Sequence, residues 1–182
     1  MRVTAPLKLP ILGPMPRWVF STASLCTMSE SVVVEGPLLG MGHVCKKILS
    51  DLPDWFGIEE ANKNYTRKSE TLPTFIAKLE SETVGFMSLL IHSPQSAELY
   101  VLGVLRKYHR QGIGKKLLLA SESYLKEQGV KFVQVKTLAA LAEDLNYEKT
   151  RAFYEGEGYV TLEVFPELWD PQNPCLQMIK DI

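Results

Sequence analysis

The sequence predicts a single mixed α/β domain. Three observations carry this. Short β-branched and apolar runs alternate along the chain with stretches whose apolar residues recur at helical spacing. A glycine-punctuated segment, "HRQGIGKK", lies between an apolar run and an amphipathic stretch. No internal repeat or interdomain linker divides the 182 residues, a length that suits one domain with a sizeable core.

The residues before Glu30 are set aside first. "MRVTAPLKLPILGPMPRWVFSTASLCTMS" has no acidic residue and four prolines by position 16. The prolines break an apolar span before it could cross a membrane, and they spoil the amphipathic helix of a transit peptide. Residues 1–29 are read as a loose N-terminal extension, or as an upstream start with Met28 the natural one. The domain is expected over 30–182.

From there each element has a local reason. "SVVVEG" is a β-branched strand. A helix is predicted from Gly42 to Leu49, broken at "SDLPDWFG" by Pro53 and Gly57, with a polar helix from Ile58 to Lys68 after it. "TFIAKLESETVGFMSLLIH" reads as a hairpin turning at Ser81 and Glu82, and "AELYVLGVL" as a further strand. Gly112 to Glu127 places Ile113, Leu117, Ala120, Tyr124 and Leu125 on one helical stripe that Gly129 ends. "VKFVQVKTL" is a strand and "YEKTRAFYEGE" a helix. "YVTLEVF" and "CLQMIKD" are two last strands around a loop containing "PELWDPQNP".

Composition bounds the function. The formal net charge is −1, with 20 Lys and Arg against 21 Asp and Glu, which argues against a nucleic-acid surface spread over the protein. Cys26, Cys45 and Cys175 are odd in number and lack metal-like spacing, so they read as reduced thiols, with the cytoplasm as the default compartment. No metal is expected and no membrane association, and self-association as a homodimer is left open.

Against this near-neutral background, Arg106, Lys107, His109, Arg110, Lys115 and Lys116 crowd together with no acidic residue between them. Two nucleotide-binding patterns fail there. A GxxxxGK[ST] loop would need glycine at His109 and a hydroxyl at Lys116, and a GxGxxG fingerprint from Gly112 would need glycine at Leu117. What remains is a strand, a short cationic loop and a helix opening at "QGIGKK". The first amides of a helix lack internal partners and carry the positive end of its dipole, so with Gly112 and Gly114 leaving the backbone open this is an anion cradle.

The segment "HRQGIG" resembles the acyl-CoA-binding motif of the GNAT superfamily of N-acyltransferases, [RQ]-x-x-G-x-[GA] between a strand and a helix. "TRAFYEGEGYV" resembles the superfamily's second signature, A-x-x-F-Y-x-x-x-G-F. With the element order, the resemblance covers Ser31 to Ile182 and is to bacterial members. It implies a mixed, mostly antiparallel twisted sheet of about seven strands flanked by helices, with a splayed central strand pair. It implies acetyl-CoA as cosubstrate, its pyrophosphate on His109, Arg110, Gln111, Gly112, Ile113, Gly114 and Lys115. The pantetheine arm would lie as an added strand on the backbone of Leu102, Gly103 and Val104, with Gly103 at a strand irregularity or close packing. The sequence departs from the pattern at His109, usually Arg or Gln, at Tyr147, usually Asn, and at Thr150, usually Ala.

Two residues would carry chemistry. Strand alternation puts Glu98 on one face with Tyr100, Leu102 and Val104, at the position of the catalytic glutamate of the histone-acetylating branch. It is either the base that deprotonates an ammonium nucleophile or a solvated glutamate at a strand start. Tyr154 matches the family's tyrosine that protonates the leaving thiolate, with Phe153 the core partner, although an aromatic on an amphipathic helix also serves as packing. The resemblance places the acceptor between "DWFGIEEANKNY" and "PELWDPQNP". Trp55 and Phe56 could hold an apolar part there and Glu59, Glu60 or Asp170 an amine, or all five are ordinary core aromatics and solvated acids. The function expected is direct acetyl transfer to a small-molecule primary amine. A peptide or protein amine is the alternative, and a non-catalytic CoA-binding module is the reading from another class.

Overall fold

The computed structural model describes residues 31–182. The reading of residues 1–29, and Cys26 with it, lies outside the described residues. Seven strands form one sheet: β1 (Val33–Leu38), β2 (Thr74–Leu79), β3 (Glu82–Ser93), β4 (Ser96–Val104), β5 (Phe132–Leu138), β6 (Val160–Asp170) and β7 (Asn173–Asp181). Their order is β1-β2-β3-β4-β5-β7-β6, and every neighbouring pair is antiparallel except β4–β5. Four α-helices flank it: α1 (Gly42–Ser50), α2 (Glu59–Ser69), α3 (Ile113–Glu127) and α4 (Leu145–Gly156). None is long and apolar enough to cross a membrane.

The middle of the sheet is covered on both faces, which is why its strands there read as near-continuous apolar runs. On one face Ile113, Leu117, Leu118 and Leu125 of α3 and Tyr154 of α4 pack with Met87, Leu89, Leu99 and Val135. On the other, Cys45, Ile48 and Leu49 of α1 pack with Ile76, Phe86 and Val101, and Tyr65 of α2 closes over this cluster. The two cores meet different side chains of the same strands, as period-two alternation requires.

Two irregularities shape the centre. Ser88 pairs with Val101 while Leu89 pairs with Leu99, so Tyr100 is the extra residue of a bulge in β4. The alternation predicted for β4 therefore reverses midway. Glu98 and Tyr100 lie toward α1 and α2, but Leu102 and Val104 pack into the α3 core. Gly103 sits in regular register opposite Phe86. A Cβ there would lie 2.8 Å from Ile48 and 2.9 Å from Phe86, so this glycine admits α1 against the sheet.

The second irregularity is a split. β4 and β5 pair only from Ser96↔Phe132 to Leu99↔Val135. β4 then runs on to Val104 while β5 stays paired with β7 up to Leu138↔Cys175. The expected splayed pair is present. The last loop, in contrast, is shorter than predicted. β6 continues through Pro166 to Asp170, and only Pro171 and Gln172 turn the chain. β6 is an edge strand, where a proline costs no ladder bond.

Candidate active site

The glycine segment lies at the far end of the split. Leu105 follows β4, Arg106–Tyr108 form one 3-10 turn, and Arg110 and Gly112 take left-handed φ values of 62° and 76° before α3 begins. At Gly112 a Cβ would meet nothing within 4 Å, so its backbone conformation, not crowding, favours glycine. No side chain caps α3. The Lys116 amide donates to Gly112 O, which leaves the amides of Ile113, Gly114 and Lys115 without an intrahelical acceptor. A Cβ at Gly114 would stand 3.6 Å from Phe153, an ordinary contact, so the packed chain itself does not demand glycine there. An anion laid on these amides would demand it, and the cradle fits a pyrophosphate.

The surrounding cations are more compensated than their sequence suggests. Arg106 pairs with Asp54 at 2.6 Å, Lys107 with Glu82 at 3.0 Å and Lys115 with Glu157 at 3.0 Å. Gln111 bonds back to Lys107 O, and Arg110 has no ion pair among the described residues. His109 turns inward: Nε2 donates to Val104 O at 2.7 Å, which occupies one of the backbone groups expected for the arm.

Glu98 stands where the split begins, on β4 beside Gln134 of β5. It is 5% exposed, a buried carboxylate and not a solvated strand start. Its Oε2 accepts from Lys136 Nζ at 2.6 Å, His92 Nε2 at 2.9 Å and Gln134 Nε2 at 3.1 Å. Oε1 accepts no hydrogen bond among the described residues and is free to receive a further donor. Gln134 Oε1 in turn accepts from Gln177 of β7. Reading the sequence singled out Glu98 but missed His92, Gln134 and Lys136. They come from β3 and β5, and only strand register brings them together.

Tyr154 is deep in the α3-side core, between Phe153 and Tyr159 with ring centroids at 5.1 Å and 5.6 Å. Its hydroxyl makes no hydrogen bond among the described residues, and burial pushes its pKa well above the ordinary phenol value. It therefore holds its proton at neutral pH. Phe153, expected to be the core partner, is the more exposed of the two and lies beside Gly114.

On the opposite face, Trp55 forms a strap. Its indole N–H donates to Thr150 Oγ1 at 3.2 Å, and its carbonyl accepts from Tyr147 OH at 2.6 Å. Its ring meets His109 edge-on at 5.6 Å and lies under Arg106 at 5.5 Å. Three positions that depart from the family pattern, His109, Tyr147 and Thr150, contact this one tryptophan. Phe56 stacks edge-on with Tyr65, which meets Tyr100 in the same way. Asn64 donates to the Tyr100 hydroxyl.

The acids suggested for the acceptor stand apart from this cluster. Glu59 and Glu60 are solvated at the start of α2 and face Lys63. Asp170 accepts from the amides of Gln172 and Asn173 and from Asn173 Nδ2, bonds that fix the last turn and hold its carboxyl below the usual range.

Cys175 lies across β5 from the split, opposite Leu138 and so on the face of Glu98. Burial pushes its thiol up to about 11, although Lys136 pulls the other way. It is a poor nucleophile near neutral pH.

This arrangement can be set beside known proteins. An uncharacterised N-acetyltransferase of Chlorobaculum tepidum is 28% identical over 104 residues, which cover 56% of this chain and 60% of that relative. Less than two thirds of the relative is thus matched. Among solved structures, a GNAT family acetyltransferase of Elizabethkingia anophelis with acetyl-CoA bound superposes with TM-score 0.62 at 17% identity, over 83% of this chain and 98% of that one. The ribosomal-protein-S18-alanine N-acetyltransferase of Escherichia coli gives TM-score 0.65 at 17% identity, over 84% and 94%. At such identities these two speak for the fold. The family model for the acetyltransferase (GNAT) family matches residues 45–159, which hold both glycine signatures, Glu98 and the split. The chain belongs to the GNAT acetyltransferase family.

Proposed function

We propose that the chain is an N-acetyltransferase that moves acetyl from acetyl-CoA directly to a primary amine of a small molecule, acting in the cytoplasm. The observation that carries this reading is the split between β4 and β5. It starts beside a buried carboxylate with one unbonded oxygen and runs to a helix start with open amides. In this reading the α3 amides and the backbone from Arg110 to Lys115 take the pyrophosphate, and the open edge of β4 beyond Leu99 takes the arm. Glu98 accepts a proton from the acceptor ammonium, and the free amine attacks the thioester carbonyl. Collapse of the adduct expels the thiolate, to which Tyr154 supplies a proton, and the surplus proton shed by the new amide nitrogen restores the phenol. Direct transfer is favoured over an acyl-enzyme because burial raises the thiols of both Cys45 and Cys175, the described cysteines on this face, and so disfavours the thiolate.

The Trp55 strap supports a small acceptor, since it ties the loop between α1 and α2, one wall of the expected acceptor region, to α4. The test is thiol release from acetyl-CoA with a panel of small primary amines and of peptides with free N-termini. Release that depends on small amines supports the proposal. Release with peptides alone transfers it to a protein substrate, and CoA binding without release with any acceptor makes the domain a non-catalytic module.

A further inference from the structure

His92 shares a polar network with Glu98 that a structural hydrogen bond alone does not require. Its Nε2 lies 2.9 Å from Glu98 Oε2 and 3.0 Å from Gln134 Nε2. The orientation of Gln134 is fixed by Gln177, which donates to its Oε1 and so leaves its NH2 group turned toward His92 and Glu98. An amide NH2 only donates, and a carboxylate only accepts. A protonated Nε2 is therefore satisfied by Glu98, and a bare Nε2 is satisfied by Gln134 or by a protonated Glu98. One ring nitrogen has a partner in either state, which is what a site of proton exchange needs.

Exposure gives the exchange a direction. The Glu98 side chain is 7% exposed and that of His92 37%. The carboxylate is nearly enclosed, and the imidazole beside it opens more widely to water. The other groups around Glu98 do not compete for the proton. Lys136 of β5 is an ammonium paired with the same oxygen. Tyr65 of α2, Tyr100 of β4 and Cys175 of β7 all feel the Glu98 charge, and burial raises each above its ordinary value, Tyr65 to about 12 and Cys175 to about 11. All three already carry their protons, which leaves the His92 imidazole as the neighbour with a ring nitrogen that can receive one.

We propose that His92 is a positioning residue for the deprotonation step, receiving from Glu98 the proton taken from the acceptor ammonium and releasing it to solvent. This rests on the acetyltransferase reading. The balance is simple. An N–H bond of the ammonium breaks as an O–H bond forms on Glu98. After a half-turn of the carboxyl group, that O–H bond breaks as Nε2 of neutral His92 gains the proton. The imidazolium then loses Nδ1–H to water. The net change is one proton moved from acceptor to bulk, with Glu98 again ionised and His92 again neutral. Exchange at the exposed ring resets the tautomer.

His92→Gln tests this, because glutamine keeps a donor for Glu98 but cannot carry a proton onward. His92→Asn is made alongside, so that a folding defect in one variant does not decide the matter. With the best small amine of the parent enzyme, at pH 7 and constant ionic strength, kcat should fall roughly ten- to hundred-fold while the KM for acetyl-CoA is kept. Added imidazole should restore turnover of the variants and leave the parent unchanged. Parental kcat in the variants, or a loss that is equal at every pH and deaf to imidazole, overturns the relay. A parent that acetylates no amine overturns the acetyltransferase reading itself, so the two failures are distinct.

Discussion

One oxygen of Glu98 takes three donors from the two strands beside it, and the other oxygen takes none among the described residues. At the scale of residues, this division lets a buried carboxylate be held and still accept a proton. In the proposed reaction Tyr154 is the complementary group: burial raises its pKa, and its hydroxyl has no competing partner among the described residues. Tyr154→Phe removes that hydroxyl and keeps the ring packing with Phe153 and Tyr159. The expected result is a kcat lowered roughly ten- to ten-thousand-fold with CoA affinity and melting temperature nearly unchanged. Parental turnover in the folded variant would make Tyr154 a core aromatic. Glu98 and Tyr154 could be named from local motifs. His92, Gln134 and Lys136 could not, because their meeting depends on the register between strands far apart in sequence.

At the scale of elements, two backbone irregularities decide what the strands present. The Tyr100 bulge turns Leu102 and Val104 into the α3 core, a reversal that strict alternation along "AELYVLGVL" could not foresee. Of the two expectations for Gly103, a strand irregularity or close packing, the second holds, since it answers to the close approach of Ile48 and Phe86. The start of α3, by contrast, was legible, since Gly112 and the missing cap residue are local features. Gly112→Val forces a β-branched residue into φ +76° and sets its side chain in the open space before the first amides. CoA binding measured by calorimetry should weaken at least ten-fold, and unchanged affinity would place the cradle elsewhere. The end of the chain shows the opposite case. "PELWDPQNP" carries the composition of a loop, but as an edge strand β6 tolerates Pro166 and extends to Asp170.

At the scale of the whole molecule, the order of strands and helices followed from periodicity, and the clamps between layers did not. Glu122 of α3, expected on no buried stripe, accepts from Tyr159 OH at 2.9 Å and from Lys180 of β7 at 2.8 Å. It fixes α3, and so the cradle at its start, against the far side of the sheet. Glu122→Ala would leave the buried Tyr159 hydroxyl without its acceptor and Lys180 without its charge partner. A loss of about 1–3 kcal/mol is expected in chemical denaturation. A loss within a few tenths of a kcal/mol would mean that water replaces the carboxylate. The Trp55 strap is a second clamp, joining the loop between α1 and α2 to α4 and to the turn after β4. Its partners at 109, 147 and 150 looked like separate departures from the family pattern, and the fold makes them one feature.

The central claim is that an amine loses its proton to Glu98 at the head of the split before it attacks acetyl-CoA. The most direct test is the pH–rate profile of Glu98→Gln beside that of the parent, with the best small amine and saturating acetyl-CoA. Glutamine preserves the shape of the site and removes the base. Near neutral pH turnover should fall roughly a hundred-fold or more, and the deficit should narrow as rising pH supplies free amine and external base. A Glu98→Gln profile that coincides with the parent's at every pH would contradict the account.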